Sequence, residues 1–217
     1  MRTIRYILCA VVAVGMLAAC QTSAAASSAK KDDGWIPLIK DNSLDGWTAH
    51  GHAKWKIKDG VIIGQSPGGQ GHLYAAPVVS NLEIKGKFRI TSQGKVGNSG
   101  LYFRCNPPKD NIDAFPRGYE AQICNHAKAF TGWLWKPGHP TGPASKLLAK
   151  DGEWFSMRAR AVGDHITIWV NGTKVTDWHD DEYKKGHFAI QCHNDQMTIE
   201  AKDLYYKDLD KDKSDAK

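Results

Sequence analysis

The sequence predicts an all-β domain, built as a sandwich of two antiparallel sheets or a jelly roll. Three observations carry this reading. Short runs that alternate apolar and polar residues recur along the chain, as strands with one buried face must. Asp59-Gly60 and Asn171-Gly172 separate such runs, and these pairs suit two-residue hairpins because both positions need φ > 0. Helical periodicity is almost absent, with only 144–150 offering room for a turn or two. Many short strands punctuated by Gly, Asn and Pro point to a two-sheet architecture.

In chain order, Arg2 and Arg5 precede an apolar run over 7–17, which ends at Leu17-Ala18-Ala19-Cys20. A charged start, a short apolar stretch and small residues before a cleavage point make 1–19 a signal peptide. The run is shorter than the roughly 20 apolar residues a spanning helix needs. Residues 20–33 are mainly Ala, Ser and Lys and form a flexible tether. By length, 34–209 is one domain, and 210–217 is a charged tail that frays. Inside the domain, 55–58 and 61–63 flank the first hairpin turn. The run 81–90 alternates Leu82, Ile84, Phe88 and Ile90 with charged neighbours. Over 164–170, Ile166, Ile168 and Val170 alternate with His165, Thr167 and Trp169 before the second turn leads into 174–176.

The densest signal runs from Gly97 to Asn125. Successive side chains of a strand point to opposite faces. Asn98, Gly100, Tyr102 and Arg104 therefore share one face, and Leu101 and Phe103 the other. Over 118–123, Glu120 and Gln122 oppose Tyr119, Ala121 and Ile123; over 186–194, Gln191 and His193 oppose Phe188, Ile190 and Cys192. Solvated strand faces usually carry Lys, Thr, Ser and Glu. A guanidinium, a carboxylate, carboxamides and an imidazole instead suit the grip of a polyhydroxylated ligand. The insertion at 106–117 is placed to border this face. Segment 130–143, with Trp133, Trp135 and His139, offers either a wall for stacking on a sugar or a cap on the core edge.

The formal charge of +6 falls to +4 once Arg2 and Arg5 leave with the signal peptide. The lysines are dispersed along the chain, which gives no basic stripe for nucleic acid. Eight Trp and seven Tyr supply rings for a core and for sugar stacking, with Trp47 and Trp55 read as core. Cys105, Cys124 and Cys192 remain in the mature domain, an odd number for an oxidising compartment. Parity puts Cys105 with Leu101 and Phe103, and Cys124 with Glu120 and Gln122. A bridge between those two needs one of them to lie beyond its strand. Cys192 falls on the buried side, and no CxxC spacing points to structural zinc.

Further motifs add a resemblance. DNSLDGW (41–47), WKIKDGVIIG (55–64), NLEIKGKFRI (81–90), GNSGLYFR (97–104), GYEAQI (118–123), Thr131-Gly132, DGEW (151–154), ITIWVNG (166–172), GHFAIQCH (186–193) and KDLYYKDL (202–209) resemble, in this order, the 3-keto-disaccharide hydrolase family. The resemblance covers essentially all of 34–209, and NSGLYFR followed by GYEAQI is its specific part. It implies a concanavalin A-like jelly-roll sandwich of two antiparallel sheets, with a concave face that holds a sugar. It further implies cleavage of glycosides whose C3 hydroxyl has been oxidised to a ketone, in some members with a divalent metal ion. Arg104, Glu120, Gln122 and His193 match the family's polar pocket motifs. The chain departs at Ile39-Lys40-Asp41, Phe155, His193-Asn194 and Lys202-Asp203; of these, Asn194 is placed to narrow the pocket. LAAC at 17–20 resembles a lipobox, which implies acylation of Cys20. The chain is then expected in the bacterial cell envelope, periplasm-facing or on the outer membrane, touching the bilayer through its lipid alone. Ordinary secretory cleavage is the alternative.

A ketone at C3 acidifies the C2 proton, so a base can remove it if the enolate oxygen is stabilised; the C1 substituent then leaves and water adds to the enone. For this chemistry Glu120 or His193 is the base, the other shuttling the proton or joining Gln122 as ligands of a metal ion. Arg104 stabilises charge, because a guanidinium keeps its proton. Lys150 is a second cationic donor or a solvated loop lysine, and Gln191, Asn98, Tyr102 and Trp133 contact the sugar. The structural readings are a cross-strand ion pair for Arg104 with Glu120 and a satisfied sheet-face histidine for His193. A sugar 3-dehydrogenase is the implied upstream partner. The competing function is a lectin-like, non-catalytic carbohydrate-binding lipoprotein. A two-carboxylate glycosidase lacks its second carboxylate on these faces.

Overall fold

The computed structural model describes residues 34–94, 96–126 and 128–211. The signal peptide, acylated Cys20 and tether expected over 1–33 lie outside the described residues, as does 212–217 of the tail. The described residues form strands and no helix, so no helix among them crosses a membrane. The strands are β1 (Ile36–Pro37), β2 (Trp47–Gly51), β3 (Lys54–Lys58), β4 (Val61–Gln65), β5 (Gly71–Val79), β6 (Leu82–Ser92), β7 (Ser99–Asn106), β8 (Arg117–Ile123), β9 (Leu134–Lys136), β10 (His139–Gly142), β11 (Phe155–Val162), β12 (His165–Val170), β13 (Thr173–His179), β14 (Gly186–Cys192) and β15 (Met197–Asp208).

Two antiparallel sheets result. The first has the order β13-β12-β11-β6-β15-β4-β3, with β1 also on β15; the second has the order β10-β9-β8-β7-β14-β5-β2. Neighbours in space are mostly remote in sequence, with β14 between β7 and β5 and β15 between β6 and β4. That crossing pattern makes the domain a jelly roll. Both expected hairpin turns form: φ is 52° and 73° at Asp59-Gly60, and 49° and 75° at Asn171-Gly172. Segment 144–150 is irregular rather than helical, and Ala144 and Ala149 tuck against the core. Asp210, expected to fray, accepts Asn81 Nδ2 at 2.6 Å.

The core lies between the sheets. Leu82, Ile84, Phe88 and Ile90 of the first meet Leu101, Phe103, Tyr119, Phe188 and Ile190 of the second, all at most 1% exposed. Burying each such side chain is worth about 1.5–3 kcal/mol. Cys192 is in this core, where burial pushes its thiol up to about 12. Cys105 and Cys124 are also buried, and all three thiols are free.

Parity breaks inside β7. The β7–β8 ladder shifts register between Phe103 and Asn106, and Arg104 sits in the shift with φ 48°. An extra residue in a ladder sends the side chains that follow to the other face. Arg104 therefore leaves the polar face, contrary to its expected place beside Glu120. Its side chain, 1% exposed, runs to the edge of the core. There Nε donates to Ser80 O at 2.8 Å, and Nη1 donates to Gly163 O at 2.8 Å and Tyr183 O at 3.3 Å. Cys105, expected with Leu101 and Phe103, turns instead onto the polar face and clusters with Tyr74, Tyr102 and Ala189. Gly118 on β8 and Gly186 on β14 flank the bulge, and a Cβ at either would overlap the backbone at 104–105.

Candidate active site

The site is built on the outer face of the second sheet. Register aligns Thr48, Tyr74, Ala189, Tyr102, Glu120 and Trp135 in one row across β2, β5, β14, β7, β8 and β9. His50, His72 and Gln191 form the next row. Glu120 is central. Its Oε2 accepts the Tyr102 hydroxyl at 2.8 Å, and that hydroxyl oxygen in turn accepts Gln191 Nε2 at 3.3 Å. The same amide lies 3.3 Å from His72 Nε2, which acts as acceptor and leaves the ring proton on Nδ1. The Gln122 carboxamide faces Ser99 O at 2.8 Å, Glu120 Oε1 at 3.0 Å and Asn98 Oδ1 at 3.2 Å, so its nitrogen points at them. Asn98, Gln122, Glu120, Tyr102, Gln191 and His72 thus make one hydrogen-bonded chain.

Gly100, directly across from Gln122, makes the room for Glu120: a Cβ there would overlap the carboxylate and its Cγ. Gly100→Ala is therefore expected to push Glu120 off Tyr102. If Glu120 is the base, turnover should drop about 10²-fold or more, alongside a stability loss of about 1–3 kcal/mol for the displaced buried carboxyl, too small to empty the folded state. Comparing kcat with the unfolding curve checks this.

Burial dominates the electrostatics. It pushes the Glu120 carboxyl up to about 8, against the pull of the Tyr102 hydroxyl. The Gln122 nitrogen at Oε1 is a second donor that favours the carboxylate. His72 is lowered to about 3 by burial, then by His193 and His50. His193 is lowered by burial as well. Because folded His72 resists protonation, its contribution to stability is complete above the unfolded value of 6.5 and is lost as pH falls toward 3. That loss is on the order of 4 kcal/mol. Denaturant unfolding at pH 7 and pH 4 should show a smaller loss for His72→Gln than for the unmodified chain.

The face is roofed from two sides. From the loop between β7 and β8, Phe115 stacks on His193 with ring centres 5.7 Å apart and planes at 20°. Asp113 in the same loop meets His52 Nε2 at 2.8 Å, and its carbonyl accepts Gln70 Nε2. On the other side, the turn after β9 is braced where Lys136 Nζ pairs with Asp180 at 2.8 Å and Glu182 at 2.9 Å. Between these walls a hollow of about 170 Å³ is lined by Tyr102, Phe115, Glu120, Trp135 and 136–138. A second, of about 190 Å³, lies against Thr48, His50, Tyr74, Pro107 and His187. Both are smaller than the roughly 300–1,000 Å³ of drug-sized ligand sites. Five buried polar atoms on this face lack a protein partner: His50 Nδ1, Tyr74 Oη, Trp135 Nε1, Gln191 Oε1 and His193 Nδ1. Buried polar atoms are nearly always paired, so these five stand out as unsatisfied positions on the face.

The sequence-derived candidates divide. Glu120, Gln122, Gln191, Tyr102 and Asn98 come together, and His193 joins them through Phe115. Arg104 does not, for the reason given above. Trp133 packs against the core and Phe130, because the chain reaches β9 only at Leu134 and strand parity does not extend back to residue 133. Lys150 is a solvated lysine on a turn that is hydrogen-bonded to β6 of the other sheet, with its Nζ 3.9 Å from Glu153. Asn194 ties down 96–98, accepting from Asn98 N at 3.1 Å and donating to Val96 O at 3.0 Å. As a metal set, Glu120, Gln122 and His193 do not fit: Gln122 presents its nitrogen to Glu120. Among the described residues no three His, Cys, Asp or Glu side chains converge as ligands would. Reading of the sequence missed His50, His72, Tyr74 and Phe115. The alternation of His72 and Tyr74 with Leu73 and Ala75 was a usable signal for two of them.

A jelly roll carrying a carboxylate, carboxamides, imidazoles and aromatic rings on one outer face defines a carbohydrate-related β-sandwich. More specifically, the chain belongs to the 3-keto-α-glucoside-1,2-lyase-like domain family, whose model matches residues 34–209. Two crystal structures of candidate glycosyl hydrolases from Parabacteroides distasonis are similar. One is 19% identical with a TM-score of 0.66, covering 81% of this chain and 94% of that one. The other is 24% identical with a TM-score of 0.62, covering 81% and 99%. The carbohydrate-binding module CBM66 from Bacillus subtilis is 18% identical with a TM-score of 0.58, covering 75% of this chain and 95% of the module. At these identities the likenesses establish the fold. No curated protein matches the chain in sequence.

Proposed function

We propose that the domain cleaves 3-keto-glycosides, with Glu120 as the base. The observation that carries this is a buried carboxylate held by Tyr102 and Gln122 at the wall of a small hollow, among polar atoms that lack protein partners. The Glu120 carboxylate takes the C2 proton, and the C–H electron pair passes into the enolate at C3. Its collapse forms the C1–C2 double bond and expels the C1 alkoxide, which Glu120, now protonated, can neutralise. Water then adds at C1 and a proton returns to C2, releasing the free 3-keto sugar. Arg104 takes no part, and Lys136 is held by two carboxylates. The enolate oxygen would instead be met by a neutral donor, for which Trp135 Nε1, from the wall of the same hollow, is the available group. One such donor is worth about 10²–10³-fold.

Release of aglycone from a 3-keto-glucoside, followed against pH, tests the proposal. A base at Glu120 makes kcat/KM rise with pH through a midpoint near 8. A base at His193 would place the rise below 6.5, since burial lowers that ring. Binding of the 3-keto sugar with no turnover at any pH would leave the second reading, a carbohydrate-binding module. That reading is favoured by the engagement of Lys136, the cation in the lining of the hollow, with two carboxylates, and by the likeness to CBM66.

A further inference from the structure

A hollow of about 560 Å³ is on the outer face of the first sheet, remote from Glu120. Lys85, Lys87, Arg158, Trp169, Asp203 and Tyr205 contribute to its lining. Lysines that are scattered in the sequence are gathered here by register. Lys85 stands beside Arg158 and Tyr205, Arg158 beside Trp169, and Lys87 beside Lys202. The carboxylates of the three central strands are already taken: Glu200 by Arg89 at 2.5 Å, Glu83 by Arg160 at 3.2 Å, Asp203 by Lys87 at 3.0 Å and Asp208 by Lys211 at 3.7 Å. Among the described residues, Lys85, Arg158, Lys202 and Lys207 have no ion pair. Each lies over an aromatic ring instead, at 3.8 Å (Lys85 on Trp35), 3.9 Å (Arg158 on Trp169), 4.3 Å (Lys202 on Trp154) and 5.0 Å (Lys207 on Trp35).

We infer that this face docks on an anionic lipid surface. Two properties select that occupant. Cations without carboxylate partners, set among Trp and Tyr rings, match the charge of lipid headgroups and the amphipathic belt at a bilayer interface. In addition, the described chain starts on this face, since Trp35 lies under Lys85 and Lys207. Thirteen residues, 21–33, separate Gly34 from Cys20, a reach of at most about 45 Å. An acyl group on Cys20 would hold this face within that distance of the membrane. The docking itself needs no acyl group, and the Glu120 face then looks away from the bilayer.

The test uses the chain from Gln21 onward, which keeps both sheets and the whole core but lacks the apolar leader and Cys20. Its partitioning is measured on phosphatidylethanolamine vesicles containing about one quarter phosphatidylglycerol, and on phosphatidylcholine vesicles. The anionic vesicles should bind at least about tenfold more tightly, with binding screened away near 0.5 M salt and tryptophan emission shifted to the blue. Each cation is worth about fivefold. Reversal of Lys85, Arg158, Lys202 and Lys207 to Glu should therefore abolish binding, while reversal of the exposed loop residues Lys109, Lys146, Lys184 and Lys185 should leave most of it. A milder set, the same four residues changed to Gln, keeps the test open if the reversals unfold. Equal binding to both vesicle types, or equal loss in both sets of reversals, would overturn the inference. So would tighter binding of a polyuronate to the same residues than of the vesicles.

Discussion

Replacing Arg104 with Met should destabilise the domain by about 3–5 kcal/mol and leave the chemistry of the folded fraction unchanged. The guanidinium satisfies three carbonyls from three different connections, at Ser80, Gly163 and Tyr183. Each hydrogen bond to a charged group is worth about 1.5–3 kcal/mol, and stranded buried acceptors keep their desolvation cost. For a domain of this size that corresponds to a fall in Tm of roughly 10 °C or more. If Arg104 clamped the substrate instead, Arg104→Met would raise KM or lower kcat with an unchanged unfolding midpoint. Urea unfolding and kinetics on the same preparation separate the two outcomes.

Glu120→Gln should lower turnover of a 3-keto-glucoside by about 10²–10⁴-fold while preserving sugar binding. The substitution keeps the shape and one acceptor for the Tyr102 hydroxyl, so the network need not collapse. It also removes a carboxyl whose neutral form the fold favours. A group raised from 4.5 to about 8 costs stability progressively as pH climbs through that interval. Glu120→Gln should accordingly flatten the decline in stability between pH 5 and 9. Full activity in Glu120→Gln would dismiss it as the base; lost activity together with lost sugar binding would point to a positioning group.

Much of this was legible in the residues. Alternation placed Glu120, Gln122, Gln191 and Tyr102 on one face, because β8 is uninterrupted and β7 is regular up to Phe103. The same rule failed one residue later. Nothing in Tyr-Phe-Arg-Cys announces a left-handed arginine, and the glycines that permit it, Gly118 and Gly186, stand on other strands. A bulge is a property of three neighbouring strands, and periodicity along one of them cannot reveal it. Trp133 misled for a related reason: it precedes the point at which β9 joins the ladder. Phe115 was unreadable because its place over His193 depends on how the 106–117 loop folds back, which Asp113 fixes through contacts with residues far away in the chain.

That fastening has an implication for traffic. The loop bearing Phe115 is pinned at Asp113 through solvent-exposed contacts with His52 and Gln70. Exposed pairs of that sort hold with only about 0–1 kcal/mol and weaken in salt. The opposite wall is clasped by a lysine between two acids. Entry and exit should therefore be one-sided: the phenylalanine flap yields before the tryptophan wall, and in the proposed reaction the aglycone would depart on the flap's side.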